Sequence, residues 1–574
     1  MNDNNYTPER RKRPRPTQGQ QGGRRSDSYG GVSDNYYYDN PNQGNRQRNV
    51  RRTSSNGSGN YSYDDYYDRQ SRQQRPNQQN QQRRMQNDDY QRNPKKKKNR
   101  HTFGKILAII QAILSLLVLG VLFILNVLPE MYLIIIAVVL VILWIFSFFS
   151  QFTRLSHIPG KIESIIVTLI LALGSYYLLI TQNMLSQITD IGYTVDNIVV
   201  LVLKDDPAQS LQDAAGYTFG IQKSFNSEKI DKAVQSFSDE AGQELNVVSY
   251  DSLQTQIQAL YDGNVGAIIY NEGFKDSVAE IYPTFEADTR KLDNIEIKTE
   301  VETEAATSDV DVTEEPFSVY ISGNDSYGSV DVQGRSDVNI IIFVNPATKQ
   351  ILQVSTPRDF YVKFPNVTGE TKDKLTHSGN FGIQCSMDTM ESIYGTEIDY
   401  YARVNFTSLI KMVDALGGID VDADYAFNTF DGKSFVQGLN HLNGEDALSF
   451  SRERYSLPNG DFDRGRHQQL VIEAMMQKAM SPAILTSYAG IMSSLQDSFV
   501  TSMPSSDITS LVKLMLKDGS GWNMVKASAS GTGATDYCYS LGFAASVVVP
   551  DEVSVQQIRA QIQALYNGEI LTQQ

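Results

Sequence analysis

Residues 449–472 read SFSRERYSLPNGDFDRGRHQQLVI, in which four arginines (Arg452, Arg454, Arg464, Arg466) alternate with the carboxylates of Glu453, Asp461 and Asp463. The stretch holds no lysine. An arginine guanidinium is planar and bidentate and matches phosphate oxygens, where a lysine ammonium is only a point charge. A phosphate or pyrophosphate site is one reading of the stretch, and a surface ion-pair network is an equal rival. The same residue types recur elsewhere. Arg335-Ser336-Asp337 precedes one predicted strand, Thr356-Pro357-Arg358-Asp359 follows another, and Asp325 ends a third. Strand ends are where open α/β sheets place their sites. Asp325 and Asp337 could supply two oxygen ligands to Mg2+, which usually takes one or two carboxylates and completes its octahedron with water and substrate phosphate. Arg335, Arg358, Arg452, Arg454 and Arg464 would neutralise a diphosphate and the charge developing on its leaving group. Any one of these residues taken singly is better explained by a satisfied salt bridge. Their recurrence at three strand ends favours a site.

Other chemistries lack their residues. The five histidines (His101, His157, His377, His441, His467) show no zinc spacing, and His467 reads as structural. Cys385 and Cys538, the two cysteines, form no CxxC and leave open one disulfide or two free thiols. A serine hydrolase would need a GxSxG elbow, which is missing. Asp461-Phe462-Asp463 matches the DxD metal motif of glycosyltransferases, but three residues make a weak match.

The elements that must position these residues follow a charge division. Of 51 basic and 66 acidic side chains, residues 1–102 hold 22 and 10, a net of +12 against −27 for the rest. A basic head on an acidic body points to different surroundings for the two ends. Residues 1–100 are rich in Arg, Gln, Asn, Gly, Ser and Tyr and nearly devoid of aliphatic side chains, so 1–102 is expected to be a disordered basic tail on the cytoplasmic side. Its tyrosines, Tyr36, Tyr37 and Tyr66 among them, would suit RNA or cytoplasmic partners, although a solvated tail beside anionic membrane lipid is favoured. No helix-turn-helix pattern is present, so DNA is not an expected partner.

Three apolar runs, 106–128, 131–150 and 162–182, each have about the length needed to cross a bilayer, within a membrane segment spanning 103–183. Lysines 95–98 precede the first run, and Arg154, His157 and Lys161 lie between the second and third. Basic flanks face the cytoplasm, which places everything after residue 182 outside. The first run starts too deep to be a cleaved signal peptide.

Residues 184–310 alternate strands (198–203, 246–250, 265–270) with helices (227–244, 252–261), the pattern of a small α/β accessory domain without chemistry of its own. An acidic, Thr-rich linker is expected at 296–316. A second α/β domain with a central mixed sheet is expected over 316–574. Its strands fall at 317–322, 338–344 and 351–355 and its helices at 385–394, 406–416, 444–451 and 463–478, with a strand (544–549) and a helix (555–566) closing the sheet. The run 338–344 is nearly all apolar, as befits a strand covered on both faces.

Taken in order, SGND (322–325), GRSDVN (334–339), STPRD (355–359), HLNGEDALSFSRERY (441–455) and GDFDRGRHQQLVI (460–472) resemble the catalytic domain of the LytR-CpsA-Psr family of Gram-positive bacteria, over about residues 316–555. Three spans followed by an α/β unit are similar to its capsule-associated CpsA branch, from which the Tyr/Arg/Gln-rich tail departs. The resemblance implies a multi-pass cell-membrane phosphotransferase. It would move a glycopolymer (capsular polysaccharide, teichoic acid or a similar wall glycan) from an undecaprenyl pyrophosphate carrier to peptidoglycan, with Mg2+. It implies that Asp325 and Asp337 match the metal-associated acids, and that Arg335, Arg358, Arg452, Arg454 and Arg464 match the pyrophosphate-binding arginines. Asp461 matches an acid to which activation of the acceptor hydroxyl is ascribed, and Gln468 a polar residue of the same cluster; Asp461, Arg335 and Arg358 are the expected catalytic residues. The lipid would lie in a hydrophobic slot between sheet and helices, with Val338, Ile340 and Phe406 as candidate lining. Two rivals keep this site. Water as acceptor would make a polyprenyl-pyrophosphate hydrolase, and binding without turnover would make a regulator of capsule or wall-polymer synthesis.

Overall fold

A computed structural model of the chain describes residues 102–126, 128–153, 157–189, 194–223, 227–300, 310–481, 499–518 and 521–573. The expected tail up to residue 101, Arg154 in the second membrane loop and residues 301–309 of the expected linker lie outside the described residues.

Unbroken apolar sequence produces three helices, α1 (Thr102–Leu125), α2 (Glu130–Ser150) and α3 (His157–Thr189). Each is long and apolar enough to cross a membrane. Large side chains such as Ile113, Leu116, Ile134 and Leu169 point outward from the bundle. Inside it, polar groups bond across helices: Trp144 Nε1 donates to the Ala108 carbonyl (3.0 Å), Ser147 Oγ to that of Gly160 (3.0 Å) and Gln111 Nε2 to Glu163 (3.2 Å). Lipid offers none of these groups a partner, so internal bonding is their only satisfaction.

The accessory unit comprises β1 (Thr194–Leu203), β2 (Thr218–Gln222), α4 (Ser227–Ala241), β3 (Asn246–Tyr250), α5 (Leu253–Tyr261), β4 (Ala267–Asn271), α6 (Lys275–Ile281) and β5 (Thr289–Thr299). Its sheet runs β3-β2-β4-β1-β5, with β2 parallel and β1 antiparallel to both neighbours. Alternate side chains of β1 enter two cores, Ile198, Val200 and Val202 meeting Phe219 and Phe237, and Val199 and Leu201 meeting Ile257 and Ile268. The edge strand β5 takes the first residues of the expected linker. Its charged sequence TRKLDNIEIKT, much of it exposed, hides the strand from hydropathy reading.

The second unit begins with β6 (Phe317–Asn324), β7 (Val338–Asn345) and β8 (Gln350–Ser355), followed by α7 (Ile383–Tyr394), β9 (Tyr400–Asn405), α8 (Phe406–Ala415), β10 (Ile419–Ala423), β11 (Gly438–Leu442), α9 (Gly444–Arg452) and α10 (Asp461–Ala479). It ends with β12 (Val500–Thr501), α11 (Ser505–Asp518), β13 (Asn523–Ser528), β14 (Gly531–Cys538), β15 (Phe543–Pro550) and α12 (Glu552–Tyr566). The main sheet is mixed, in the order β12-β9-β6-β7-β8-β13, with β6–β9 and β8–β13 parallel and the rest antiparallel. β7 is central: Ile341 and Phe343 meet α7 and α12 residues on one face, and Ile340 and Ile342 enter a second core on the other. The sheet is not closed by the strand near 544–549. That segment, β15, pairs with β14 in a separate hairpin, and β13 takes the edge instead. Cys385 and Cys538 are both buried, free thiols.

The β12 end of the sheet lies against α3, and Lys513 Nζ of α11 donates to Asn126 Oδ1 at 2.9 Å. One edge of the second unit thus rests beside the membrane helices. Phe343 is fully buried in the larger core. Replacing it by alanine should cost about 3–5 kcal/mol through lost burial and a residual cavity, seen as a lower midpoint for the second unit in denaturant unfolding of the detergent-solubilised chain.

Candidate active site

Register brings the charged residues together. Gly323 of β6 faces Val338 of β7, and Ile340 of β7 faces Ser355 of β8, so the end of β6, the start of β7 and the end of β8 meet at one end of the sheet. Asp325, Asp337 and Arg358 stand just beyond those three points. α10 enters at the same place. Gly460 turns into it at φ +57, and at Gly465 a Cβ would lie 2.9 Å from Ser355 Oγ, so the glycine lets α10 pass close to the end of β8 without displacing that hydroxyl. The first turn of α10 carries Asp461 and Arg464.

Asp337 is the hub, its side chain only 1% exposed. Arg358 Nη1 donates to its Oδ1 at 2.6 Å, and Thr376 Oγ1 donates to the same oxygen at 3.1 Å. Arg335 Nε lies 3.9 Å from Oδ2. Arg464 Nη2 lies 3.5 Å from the Asp337 carbonyl oxygen and 2.9 Å from Asp461 Oδ1, and Arg358 Nε is 3.8 Å from that same Oδ1. Burial alone would raise the Asp337 carboxyl, but Arg335, Arg358 and Arg464 outweigh it and hold the group well below the usual carboxylate range. The opposite happens at Asp325. Its burial and the charge of Asp337 push it up to about 6, against the pull of Arg464, Arg358 and Arg452.

The cluster is incompletely satisfied. Nε of Arg335, Arg358 and Arg464 and Oδ2 of Asp337 are buried without a hydrogen-bond partner, and Asp461 Oδ1 is held only by its ion pairs with Arg464 and Arg358. Buried polar atoms are seldom left so, and an anion with a cation would satisfy both kinds at once. Two carboxylates, one with an open oxygen, suit a hard divalent cation that leaves its other positions to water and phosphate. Among the described residues no cluster of three His, Cys, Asp or Glu offers an all-protein metal cage.

Beside the cluster opens a cavity of about 280 Å³ between β6, β7, β9 and the helices α8, α9 and α10. Val338, Phe406, Leu409, Val471 and Met475 make its wall apolar, and Asp325, Arg452 and Gln468 stand on it at the charged side. Phe499, next to β12, also lines it. Ile340 is fully buried between Val338 and Ile342 and belongs to the core, a correction to the expected lining. Arg452 lies 4.2 Å over the Phe406 ring and 5.6 Å from that of Phe430, a cation–π arrangement that holds the guanidinium at the mouth.

The structure thus gathers Asp325, Asp337, Arg335, Arg358, Asp461 and Arg464, and sets Arg452 and Gln468 on the adjoining wall. Arg454 stacks at 4.5 Å on the exposed ring of Tyr455. α9 ends at Arg452, and the buried carboxylate of Glu453 accepts the N–H groups of Phe430, Arg454 and Ser456, turning the chain between the two arginines. Arg466 pairs with Asp424, and Asp463 accepts both nitrogens of Asn459, so Asp461 and Asp463 do not form a DxD pair. His467 is buried against Phe427 and Phe450. Thr376, which fixes Arg358 through Asp337, and the accessory acids Asp276 and Glu280, which reach Arg335 at 3.4 and 3.2 Å, carry no sequence signal of their own.

An arginine cluster thus stands at the mouth of an apolar slot, at one end of a mixed α/β sheet. The sequence model of the LytR_cpsA_psr family matches residues 284–561. The chain is 40% identical over 224 residues to a protein of Enterococcus faecalis named polyisoprenyl-teichoic acid–peptidoglycan teichoic acid transferase TagU, covering 38% of this chain and 71% of that one. A TagU of Bacillus cereus is 34% identical over 246 residues, 42% of this chain and 77% of that one. The crystal structure of B. subtilis TagU shares 29% identity, covering 45% of this chain and all of that one at a TM-score of 0.36. The chain belongs to the LytR-CpsA-Psr family.

Because Asp325 is held above the ordinary carboxylate range, its ionised form is disfavoured in the folded state; the associated stability is present below about pH 4 and lost as pH rises through about 6. Asp325→Asn should therefore raise the melting temperature of the metal-free chain at pH 7.5, and the gain should vanish at pH 4, as scanning calorimetry at the two pH values would register.

Proposed function

We propose that this protein is a membrane-anchored phosphotransferase that attaches a glycopolymer, carried on a polyprenyl diphosphate such as undecaprenyl diphosphate, to peptidoglycan. One observation carries the proposal: the arginine cluster around Asp337 adjoins an apolar slot. A diphosphate head suits the first and an isoprenoid tail the second. The relatives' names supply the polymer class, teichoic acid, with capsular polysaccharide as the alternative.

In the proposed reaction a peptidoglycan sugar hydroxyl attacks the sugar-side phosphorus. A new P–O bond forms to the acceptor oxygen, the bond from that phosphorus to the bridging oxygen breaks, and polyprenyl phosphate leaves with the electron pair. The acceptor proton passes to Asp461. Arg335, Arg358 and Arg464 absorb the charge moving onto the leaving phosphate, and they are pre-set for it by Asp337 and Thr376. Mg2+, held by Asp325 and Asp337, would act as a Lewis acid toward the phosphoryl oxygens. The basic residues before α1 and between α2 and α3 keep that side cytoplasmic, so both α/β units stand outside with the wall.

The test is transfer by the full chain in membrane vesicles, from labelled lipid-linked donor to peptidoglycan. Arg358→Ala should cut wall-linked label by about 10²–10³-fold, the scale of losing one charge-stabilising donor group, whereas Arg466→Ala, at a side chain paired with Asp424, should stay close to the parent. Label released as free glycan would contradict transfer and mark a hydrolase.

A further inference from the structure

Arg335 is bound from two directions. Its Nε edge looks toward Asp337 Oδ2 at 3.9 Å, while Nη2 and Nη1 reach Asp276 (3.4 Å) and Glu280 (3.2 Å) of the accessory helix α6. The arginine side chain is 12% exposed, and the two accessory carboxylates 52% and 31%. Glu280 also takes Lys374 of the second unit at 2.5 Å. Burial opposes the charge of Glu280, but Lys374, His377 and Arg335 outweigh it and keep the group ionised.

The segment carrying Arg335 is tied to the accessory unit as well. Val195 of β1 donates its N–H to the Asp331 carbonyl (3.0 Å) and accepts from the Gln333 N–H (2.9 Å), so the segment extends the accessory sheet for one bridge. Lys229 Nζ reaches Gln333 Oε1 at 3.4 Å. At Gly273, just before α6, a Cβ would stand 2.9 Å from the Gln333 carbonyl oxygen. Backbone and side chain of the Arg335 segment are thus both held by one neighbouring unit.

We propose that Asp276 and Glu280 are positioning residues, through which the accessory unit fixes Arg335 so that its Nε edge faces the diphosphate. The inference rests on the diphosphate reading of the site. A free arginine side chain must lose its rotamer freedom on binding an anion, whereas one clamped at both terminal nitrogens has lost it already. If the two acids acted instead as a decoy anion, their removal would tighten binding.

The full chain in detergent micelles is titrated with geranylgeranyl diphosphate in Mg2+ buffer, beside Asp276→Asn, Glu280→Gln and Arg335→Gln. Among the described residues the ion pair of Asp276 is with Arg335, so Asp276→Asn leaves the Lys374–Glu280 pair intact and keeps the test safe if Glu280→Gln unfolds. Asp276→Asn should bind about five- to tenfold more weakly than the parent with an unchanged melting temperature, and should have no further effect in an Arg335→Gln background. In the transfer assay the loss should fall on the donor KM. Parent-like or tighter binding by Asp276→Asn, or an equal loss in the Arg335→Gln background, overturns the positioning role while the site reading stands. A parent chain that does not bind the diphosphate overturns both.

Discussion

One buried carboxylate, Asp337, allows three guanidinium groups to share a space where like charges would otherwise push them apart. It is almost inaccessible to water, it accepts from Arg358 at 2.6 Å, Arg335 Nε stands 3.9 Å from its Oδ2, and Arg464 reaches the backbone carbonyl of the same residue at 3.5 Å. In a medium of low polarity such attraction is strong, but it offsets desolvation only where the remaining donors and acceptors find partners. Here several do not. The cluster therefore leaves donors and acceptors open, which the proposed diphosphate and cation would engage.

The fold supplies what Asp337 alone cannot. Antiparallel register delivers Asp325, Asp337 and Arg358 to one end of the sheet, and two glycines bring the first turn of α10 against them. The apolar cavity runs from this point between sheet and helices, with Phe499 and the β12 edge on the side where α3 lies. A charged head and a long apolar tail can then be held by one molecule's two faces, the head among arginines and the tail along the hydrophobic wall. The raised Asp325 fits the same logic: a carboxylate strained by its neighbour is a cost in the empty site and an asset to a bound cation.

Much of this was legible in the sequence. The apolar runs announced α1, α2 and α3, the continuous apolar stretch announced the central strand β7, and the charged tripeptides and tetrapeptides at strand ends announced Asp325, Asp337, Arg335 and Arg358. Spacing gave no sign that α9 ends at Arg452 or that the Glu453 carboxylate redirects the backbone before Arg454. Nor could it tell Ile340 from Val338, since residues two apart on a strand share a face and only tertiary cover decides which meets the cavity. β5 escaped because its charged residues break the apolar alternation, and β13, NMVKAS, because it is short and largely polar. The contact of Asp276 and Glu280 with Arg335 joins residues more than fifty positions apart in separate units, which no local pattern encodes.

The central claim is that the Asp337 cluster and the adjoining slot hold one diphosphate-bearing lipid. Crystals of the full chain grown with geranylgeranyl diphosphate and Mn2+ would locate both phosphorus atoms and, from anomalous scattering, the cation. The account requires phosphate oxygens within hydrogen-bonding distance of Arg358, Arg335 and Arg464, the metal on Asp325 and Asp337, and the isoprenoid along Val338 and Phe406. A diphosphate bound elsewhere, with those three guanidinium groups still engaged only by the chain's own carboxylates, would contradict it.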